Sequence, residues 1–266
     1  MQSLTKPSVV AKALASGLWP PLDIGRGALS DAIFAGLVSE TDRLTVLAKN
    51  AILILTFALL IAGSAQLRIA LPFTPVPITG QTFAVLLAGA ALGSRRGFIA
   101  ALAYIGMGWA GAPFFAGGKS GMFWKFTSAG YLVSYPFAAF AVGWLTERGW
   151  NRGLWLITSL LIGNVIIYAF GLPWLGGFIA SNAFRTSAQS PLYTVIPGSD
   201  VLQKTLNGGL YPFIPGDLLK VGLAAATIPS AWGFVGILER SSHAIRRVAI
   251  AALLAGAIVW SLRTAL

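Results

Sequence analysis

Seven long apolar stretches, set apart by glycine, proline and charged residues, constrain the fold of this chain more than any other feature. In chain order they are Ala48–Leu67, Thr79–Leu92, Gly97–Ala112, Ala129–Leu145, Gly153–Ile179, Asp217–Leu238 and Val248–Leu262. A helix needs about 20 mainly apolar residues to cross the roughly 30 Å hydrocarbon core of a bilayer. We therefore predict an all-α integral membrane protein that crosses the cell membrane six times. The last stretch, about fifteen residues long, is either a seventh span or a helix on the membrane surface.

Charge and composition exclude several classes of function. Only 10% of the residues are charged, against about 25% in soluble domains. The net charge of +11 comes mostly from residues at the ends of the apolar stretches. This pattern is typical of topology signals and contacts with anionic membrane lipids, so we expect no nucleic-acid binding. Because the chain has no cysteine and one histidine, we also expect no disulfide, no metal site and no cofactor.

Basic residues in the short connections set the predicted orientation. Arg95 and Arg96 follow the second stretch, and Arg148 and Arg152 follow the fourth. Because Lys and Arg are enriched in cytoplasmic loops, we predict a cytoplasmic N-terminus. The connections that then face outward are long and rich in glycine and proline, namely Arg68–Ile78, Pro113–Ser128 and Ala180–Pro215.

The chain divides into three predicted parts. Residues 1–47 form an N-terminal extension on the cytoplasmic or interfacial side. Within it, Ala28–Leu47 is either an amphipathic helix on the membrane surface or part of a disordered tail. Residues 48–240 form a compact six-helix substrate-binding domain with an external insertion at 178–214, and residues 241–266 form a C-terminal extension with the possible seventh helix.

The segment Arg68–Gln81, which we call the proline arm, connects the first two stretches. Each proline fixes its own φ angle and favours an extended conformation in the residue before it, so the arm should be stiff. Its apolar side chains need a surface to lie against. We predict that it covers a binding site as a lid and moves as a unit, hinging near Arg68 and Gly80. The candidate lid residues are Pro72, Phe73, Pro75, Val76 and Pro77.

Asp217 and Lys220 are the strongest candidates for ligand binding. Their i, i+3 spacing puts both side chains on one face of the sixth predicted helix, and an ionisable residue in a membrane helix is a functional candidate by default. A carboxylate accepts hydrogen bonds from N–H donors, and an ammonium group pairs with a carboxylate. The alternatives are an N-terminal helix cap for Asp217 and, for Lys220, a side chain that reaches back to the membrane surface.

Other positions near the predicted outer face complete the candidate site. They are Gln81, Gly117, Tyr131, Asn164 and Tyr168. Gly117 lies in a glycine-rich loop, where the backbone can approach a ligand closely. Asn164 and Tyr168 share a helix face at i, i+4 spacing, as do Tyr131 and Tyr135. The alternatives are a packing hydrogen bond for Asn164 and an interfacial position for Tyr168.

Two further patterns concern partners and energy. Ala58 and Ala62 form a small-xxx-small pattern, which lets helices approach closely within one chain or between partners. The sequence contains no catalytic triad, no nucleotide motif and no paired carboxylates within its apolar stretches. We therefore expect a protein that is not an enzyme and that takes any energy for transport from another polypeptide.

Five segments, in this order, resemble those of one known family. They are LPFTPVPITGQTFAVLLAGAALGSRRG, GAPFFAGGKSG, GYLVSYPFAAFAVGWLTERG, GNVIIYAFGLPWLG and FIPGDLLK. The chain is similar over about Ala48 to Leu238 to the BioY family, the biotin-specific S components of energy-coupling-factor (ECF) vitamin transporters. The resemblance implies a compact six-helix S-component fold that captures biotin at the outer face. Uptake would then use a transmembrane coupling subunit and two cytoplasmic ATPases that hydrolyse ATP.

The resemblance also implies roles for single residues. The proline arm matches the family's first external loop, which covers the bound vitamin. Asp217 and Lys220 match the family's Asp-x-x-Lys pair. We assign the valerate carboxylate to Lys220 and the ureido N–H groups to Asp217, with other polar residues as possible replacements. Ala58 and Ala62 match the alanine pair of the face that docks on the coupling subunit.

This chain departs from the family pattern in its N-terminal extension, the start of its fourth predicted helix, the insertion and the C-terminal tail. An added C-terminal helix could occupy a surface that the coupling subunit would otherwise use. Two alternatives therefore stay open, a biotin transporter or facilitator that needs no partner and the same fold with a different vitamin.

Overall fold

A computed structural model describes residues 28–34, 43–181, 196–239 and 243–265. These residues form a mostly helical bundle, as the apolar stretches predict. The helices are α1 Leu29–Phe34, α2 Arg43–Gln66, α3 Gln81–Leu92, α4 Ser94–Trp109, α5 Ala129–Glu147, α6 Gly153–Ala180, α7 Val201–Gly209, α8 Ile214–Glu239 and α9 His243–Ala265. A 3₁₀ turn at Phe123–Lys125 precedes α5, and two short strands, β1 Arg68–Ile69 and β2 Ile78–Thr79, pair antiparallel.

Two of the described helices, α2 and α6, are long and apolar enough to cross a membrane, with mean hydropathies of 2.2 and 1.9. Helix α3 and the segment Ala251–Ser261 of α9 are apolar but shorter. The length and composition of these helices therefore agree with a membrane protein. That the chain crosses the membrane six times stays a prediction.

Helix α5 lies at the centre of the bundle, between α3, α4 and α6. Small residues make this arrangement possible. A Cβ atom on Gly89 of α3 would lie 2.4 Å from the carbonyl oxygen of Ala139 in α5, so only glycine lets these two helices approach so closely. Ala84, Ala88 and Ala138 are also fully buried.

The small residues of α2 also let helices pack closely inside the bundle. Ala58 and Ala62 are both 0% exposed and belong to a core that α2 shares with α3 and α4. In this structure the chain itself covers both alanines, and the docking face assigned to them stays a prediction. Their small side chains bring α2 close to its neighbours.

The first and last helices that the structure describes, α1 and α9, pack on the bundle. Leu29 of α1 is buried against Leu86, Leu156 and Val221, so this segment contributes to the core. Within the segment Ala28–Leu47, predicted as either an amphipathic helix or part of a disordered tail, the structure describes the helical residues Leu29–Phe34 of α1 and the start of α2 at Arg43. Residues 1–27 and 35–42 of the predicted extension lie outside the described ranges.

Helix α9 packs against α2 where the two helices end. A Cβ on Gly63 would lie 2.6 Å from Oγ1 of Thr264 and 3.0 Å from Cα of Ser261, and Ser261 is fully buried. This packing favours a helix of the bundle over a helix lying apart on the membrane surface.

The insertion contains a helix that the sequence analysis treated as loop. Helix α7 packs on α6, and the Asp200 carboxylate caps its start by accepting a 2.8 Å hydrogen bond from the Gln203 backbone N–H. Ile196, just before α7, is fully buried. Residues 182–195 of the insertion lie outside the described ranges.

Candidate functional site

The proline arm forms a closed loop over one end of the bundle. Its two ends are held together by the strand pairs Arg68–Thr79 and Ile69–Ile78. The Gly80 N–H anchors the second end by donating to the carbonyl oxygens of Leu67 at 3.0 Å and Ser64 at 3.1 Å. The predicted hinge positions therefore coincide with the paired base of the arm.

The centre of the arm turns inward at Thr74. Thr74 is buried and donates its hydroxyl hydrogen bond to the Gly208 carbonyl of α7, while its Oγ1 accepts from the Val76 N–H at 3.2 Å. Val76 is 6% exposed and joins the hydrophobic core, whereas Pro72 stays exposed. The arm is thus attached to both the bundle and the insertion helix.

A glycine-rich hairpin lies beside the arm. Phe115 and Lys119 pair across its turn, and the Gln66 side chain holds it by donating to the Phe114 and Phe115 carbonyls at 3.3 Å each. Gly117 has φ of +77°, and a Cβ there would lie 2.6 Å from a guanidinium nitrogen of Arg68. Gly117 therefore makes room for Arg68 instead of lining the cavity.

A cavity lies beneath the arm and this hairpin, between α3, α5, α6 and α8. It encloses about 530 Å³ of space that no protein atom fills, part of it open to solvent. Its lining residues are Val76, Pro77, Thr79, Gln81, Thr82, Ala116, Ser128, Tyr131, Leu132, Tyr135, Ile167, Tyr168, Phe213, Asp217 and Lys220.

Asp217 and Lys220 form the charged part of the cavity. The Lys220 Nζ lies 3.0 Å from the Asp217 Oδ1 and 3.0 Å from the Thr82 Oγ1, and the Tyr168 hydroxyl donates to the Asp217 Oδ2. Both charged side chains are mostly buried, at 10% and 14% exposed. A buried pair is tolerated when hydrogen bonds satisfy its remaining atoms, as Thr82 and Tyr168 do here.

The geometry of α8 excludes the alternative that Asp217 is an N-terminal helix cap. Helix α8 begins at Ile214, and the Asp217 N–H already donates to the Phe213 carbonyl at 2.8 Å. Asp217 therefore lies inside the first turn and is not the residue that caps the helix. Lys220 likewise points to the cavity cluster and not to the membrane surface.

A second polar cluster surrounds Gln81. Its amide Nε2 donates to the Tyr104 hydroxyl, and its Oε1 accepts from Tyr135 at 3.2 Å and Thr79 at 3.0 Å. Tyr104 is fully buried. Sequence analysis missed Thr82 and Tyr104, because the partner of each lies on another helix.

The mouth of the cavity widens into a vestibule that also touches Gln81, Ala116 and Ser128. Three cationic side chains line it, those of Arg68, Lys119 and Lys125. All three residues are exposed. None has an acidic partner among the residues that the structure describes.

Most of the predicted site residues meet in this cavity. Gln81, Tyr131, Tyr168, Asp217 and Lys220 all line it, together with Val76 and Pro77 of the arm. Pro75 lines the vestibule, and Tyr131 also donates to the Gly209 carbonyl at 2.9 Å.

Asn164, like Gly117, is a predicted site residue that lines neither the cavity nor the vestibule. It is 7% exposed and lies one turn before Tyr168 on α6. Its Oδ1 accepts no hydrogen bond within the described part of the chain.

Comparison with known proteins agrees with this architecture. The family model of BioY matches residues 38–237. The biotin transporter BioY of Rhizobium etli is 33% identical over 66% of this chain and 89% of its own length, and that of Rhodobacter capsulatus is 37% identical over 64% and 90%. A crystal structure of the S-component for biotin from an ECF-type ABC transporter is 24% identical, with a TM-score of 0.52 over 77% of this chain and 95% of that chain.

The family match covers well over half of the chain, and the similar proteins are named as transporters and not as enzymes. The structural likeness supports the same fold. This protein is a member of the BioY family.

Proposed function

We propose that this protein is the membrane-embedded subunit that captures biotin at the outer face of the cell membrane and mediates its uptake. The cavity beneath the proline arm is the observation that carries the proposal, since it combines apolar walls with the Asp217–Lys220 pair. Relatives that cover about two thirds of the chain are named biotin transporters, which makes biotin the proposed ligand.

The chemistry of biotin matches the charged cluster. Its ureido ring offers two N–H donors and one carbonyl acceptor, and the other end of the molecule is a carboxylate. The Asp217 carboxylate accepts from N–H groups, and Lys220, which has three N–H donors, can donate to a carbonyl oxygen. One cluster can therefore satisfy every polar atom of the ureido ring.

The contact between Asp217 and Lys220 also orients the ligand. Because Nζ and Oδ1 are 3.0 Å apart, both side chains face the same end of a bound molecule. Binding the valerate carboxylate with Lys220 and the ureido ring with Asp217 would require this buried pair to separate. We propose instead that the ureido ring enters the cavity first and that the carboxylate points toward the vestibule.

The vestibule suits a carboxylate. Arg68, Lys119 and Lys125 line it, and cationic side chains at the mouth of a cleft raise the local concentration of anions and their rate of entry. Their exposure keeps the contribution of each one small, on the order of 0.2–1 kcal/mol.

Comparing biotin with its methyl ester tests this orientation. Exchanging all three vestibule cations for glutamine should weaken biotin binding several-fold and leave the uncharged ester unchanged, because only biotin carries the carboxylate. Lys220→Met should weaken both ligands equally, since it contacts the shared ureido ring. Arg263→Gln on α9, outside the vestibule, is the control. If Lys220→Met weakened the binding of biotin but not of the ester, the carboxylate and not the ureido ring would face Lys220.

Transport is proposed to depend on an ECF coupling subunit and its two ATPases. The likeness of fold to an ECF S-component supports this dependence. The burial of Ala58 and Ala62 favours a docking surface elsewhere on the chain, and it keeps partner-independent transport as a second candidate.

Uptake of labelled biotin into proteoliposomes distinguishes partner-dependent from partner-independent transport. Partner-dependent transport predicts binding without net uptake until the coupling subunit, ATPases and ATP are added. Full uptake by this chain alone would favour the second candidate.

A further inference from the structure

A groove that biotin binding does not use lies at the opposite end of the bundle from the proline arm. Helix α3 ends there at Leu92, α4 begins there at Ser94 and α5 ends there at Glu147. We propose that this distal groove binds the headgroup of an anionic phospholipid, with the phosphate at Arg95 and Arg148 and an acyl chain along the outer face of α5.

The two acidic residues of the groove are already engaged. The Glu147 carboxylate accepts from the Ser94 N–H at 2.7 Å and from its hydroxyl at 2.9 Å. The Asp31 carboxylate lies 2.8 Å from Arg96 and 3.6 Å from the Lys49 ammonium group. Asp31 is therefore paired with two cations, and the Glu147 oxygens are hydrogen-bonded to the start of α4 and not paired with Arg95 or Arg148.

Two arginines of the groove are left to receive an anion. Arg95 is exposed, and neither it nor Arg148 has an acidic partner among the described residues. The Arg148 guanidinium lies 3.5 Å from the centre of the Trp144 ring and donates to the Trp144 carbonyl at 3.2 Å. This stacking fixes the guanidinium plane and leaves further N–H groups for phosphate oxygens.

An apolar stripe leads away from the arginines along α5. Phe137, Phe140 and Trp144 are spaced so that they share one helix face, and they are 47%, 43% and 42% exposed. Arg148 follows Trp144 by four residues on that face. The order of arginine, indole ring and exposed aromatic rings matches the order of headgroup, interface and acyl chain in a lipid.

The stripe distinguishes a lipid from other anions. A free phosphate would use Arg95 and Arg148 and leave the apolar stripe unoccupied. Basic pockets between transmembrane helices bind anionic headgroups, with about 1 kcal/mol per arginine near the membrane surface. The inference is independent of biotin, because no residue of the distal groove lines the biotin cavity.

Native mass spectrometry of the detergent-purified full chain tests the site. Wild-type protein should retain phosphatidylglycerol in preference to phosphatidylcholine. Arg95→Gln combined with Arg148→Gln should lower that preference roughly 20- to 30-fold, and Arg95→Gln alone about fivefold. The matched control, Lys125→Gln combined with Arg263→Gln, removes two exposed charges from outside the groove and should keep the preference.

Several outcomes would overturn the proposal. One is an absence of preference in the wild-type protein, and another is an unchanged preference in the double variant. If millimolar glycerol phosphate displaced bound phosphatidylglycerol as strongly as added lipid does, the groove would be a site for soluble phosphates instead. Loss of partner-dependent uptake with lipid retention unchanged would identify a protein contact. Calorimetry with biotin should give the wild-type affinity for the double variant, so this test stands apart from the proposed function.

Discussion

At Tyr168, one hydroxyl group supports the charged cluster of the cavity. It donates to the Asp217 Oδ2, while Lys220 contacts the Oδ1 at 3.0 Å. Without the tyrosine donor, the carboxylate loses a hydrogen bond of the charged kind, which contributes about 1.5–3 kcal/mol, and is free to turn further toward the lysine. The Asp217 carboxylate then has to turn back toward the ureido N–H groups when biotin binds, which weakens binding.

Tyr168→Phe is therefore expected to weaken biotin binding by about tenfold or more. Calorimetry on purified protein measures this change. Tyr211→Phe is the matched control, because Tyr211 is 54% exposed and lies outside the cavity lining. An unchanged affinity in Tyr168→Phe would remove this tyrosine from the site.

Single residues also show how far sequence reasoning reached into the site. The spacing of Asp217 and Lys220 was enough to place both on one face of α8, and the structure pairs them. Tyr104 could not be found in this way, because it is a polar residue in an apolar helix and its partner Gln81 begins a different helix. Contacts between distant residues depend on how the helices cross, which local spacing does not reveal.

Among the elements, α7 has the most unexpected position. It lies in a segment predicted as an outer loop, and its last residues hold both the proline arm and the cavity wall. Thr74 donates to the Gly208 carbonyl, and Tyr131 donates to the Gly209 carbonyl. The Asp200 cap before Val201 was the available sequence signal.

Thr74→Val should release the arm from α7, because the Gly208 carbonyl loses its donor in a buried position. We expect biotin to dissociate about five- to tenfold faster, which corresponds to about 1–1.4 kcal/mol for one hydrogen bond. Stopped-flow displacement of a labelled biotin measures the dissociation rate.

Thr74→Ser retains the hydroxyl and should restore slow dissociation. Thr227→Val is the second control, since the Thr227 hydroxyl bonds to the Leu223 carbonyl of its own helix and is exposed. Equal dissociation rates for wild type and Thr74→Val would show that the contact with α7 does not retain the ligand.

For the molecule as a whole, the alternation of helices and connections predicts which loops share one end of the bundle. The arm, the hairpin at Phe115–Lys119 and the cavity lie at one end of the bundle, and the turn between α5 and α6 lies at the other. Apolar stretches were sufficient to predict this alternation. Sequence patterns could not predict that Ala58 and Ala62 are buried or that α9 packs on α2. A small-residue motif fits a helix of the same chain and a helix of a partner equally well.

The chain has no cysteine, so single cysteines can test this orientation in cells. Ser120→Cys, in the exposed hairpin region, should react with a membrane-impermeant maleimide in intact cells. Asn151→Cys, in the turn between α5 and α6, should react only after permeabilisation. The reverse pattern would place the N-terminus outside.

Calorimetric titration of biotin into the wild-type protein and Asp217→Asn addresses the proposed function most directly. We predict saturable binding by the wild-type protein and a loss of at least about tenfold in Asp217→Asn, because the substitution leaves Lys220 buried without its anionic partner. Asp200→Asn should bind as the wild type does, since asparagine caps α7 as well as aspartate does. An absence of saturable biotin binding, with tight binding of a different vitamin, would contradict the proposal.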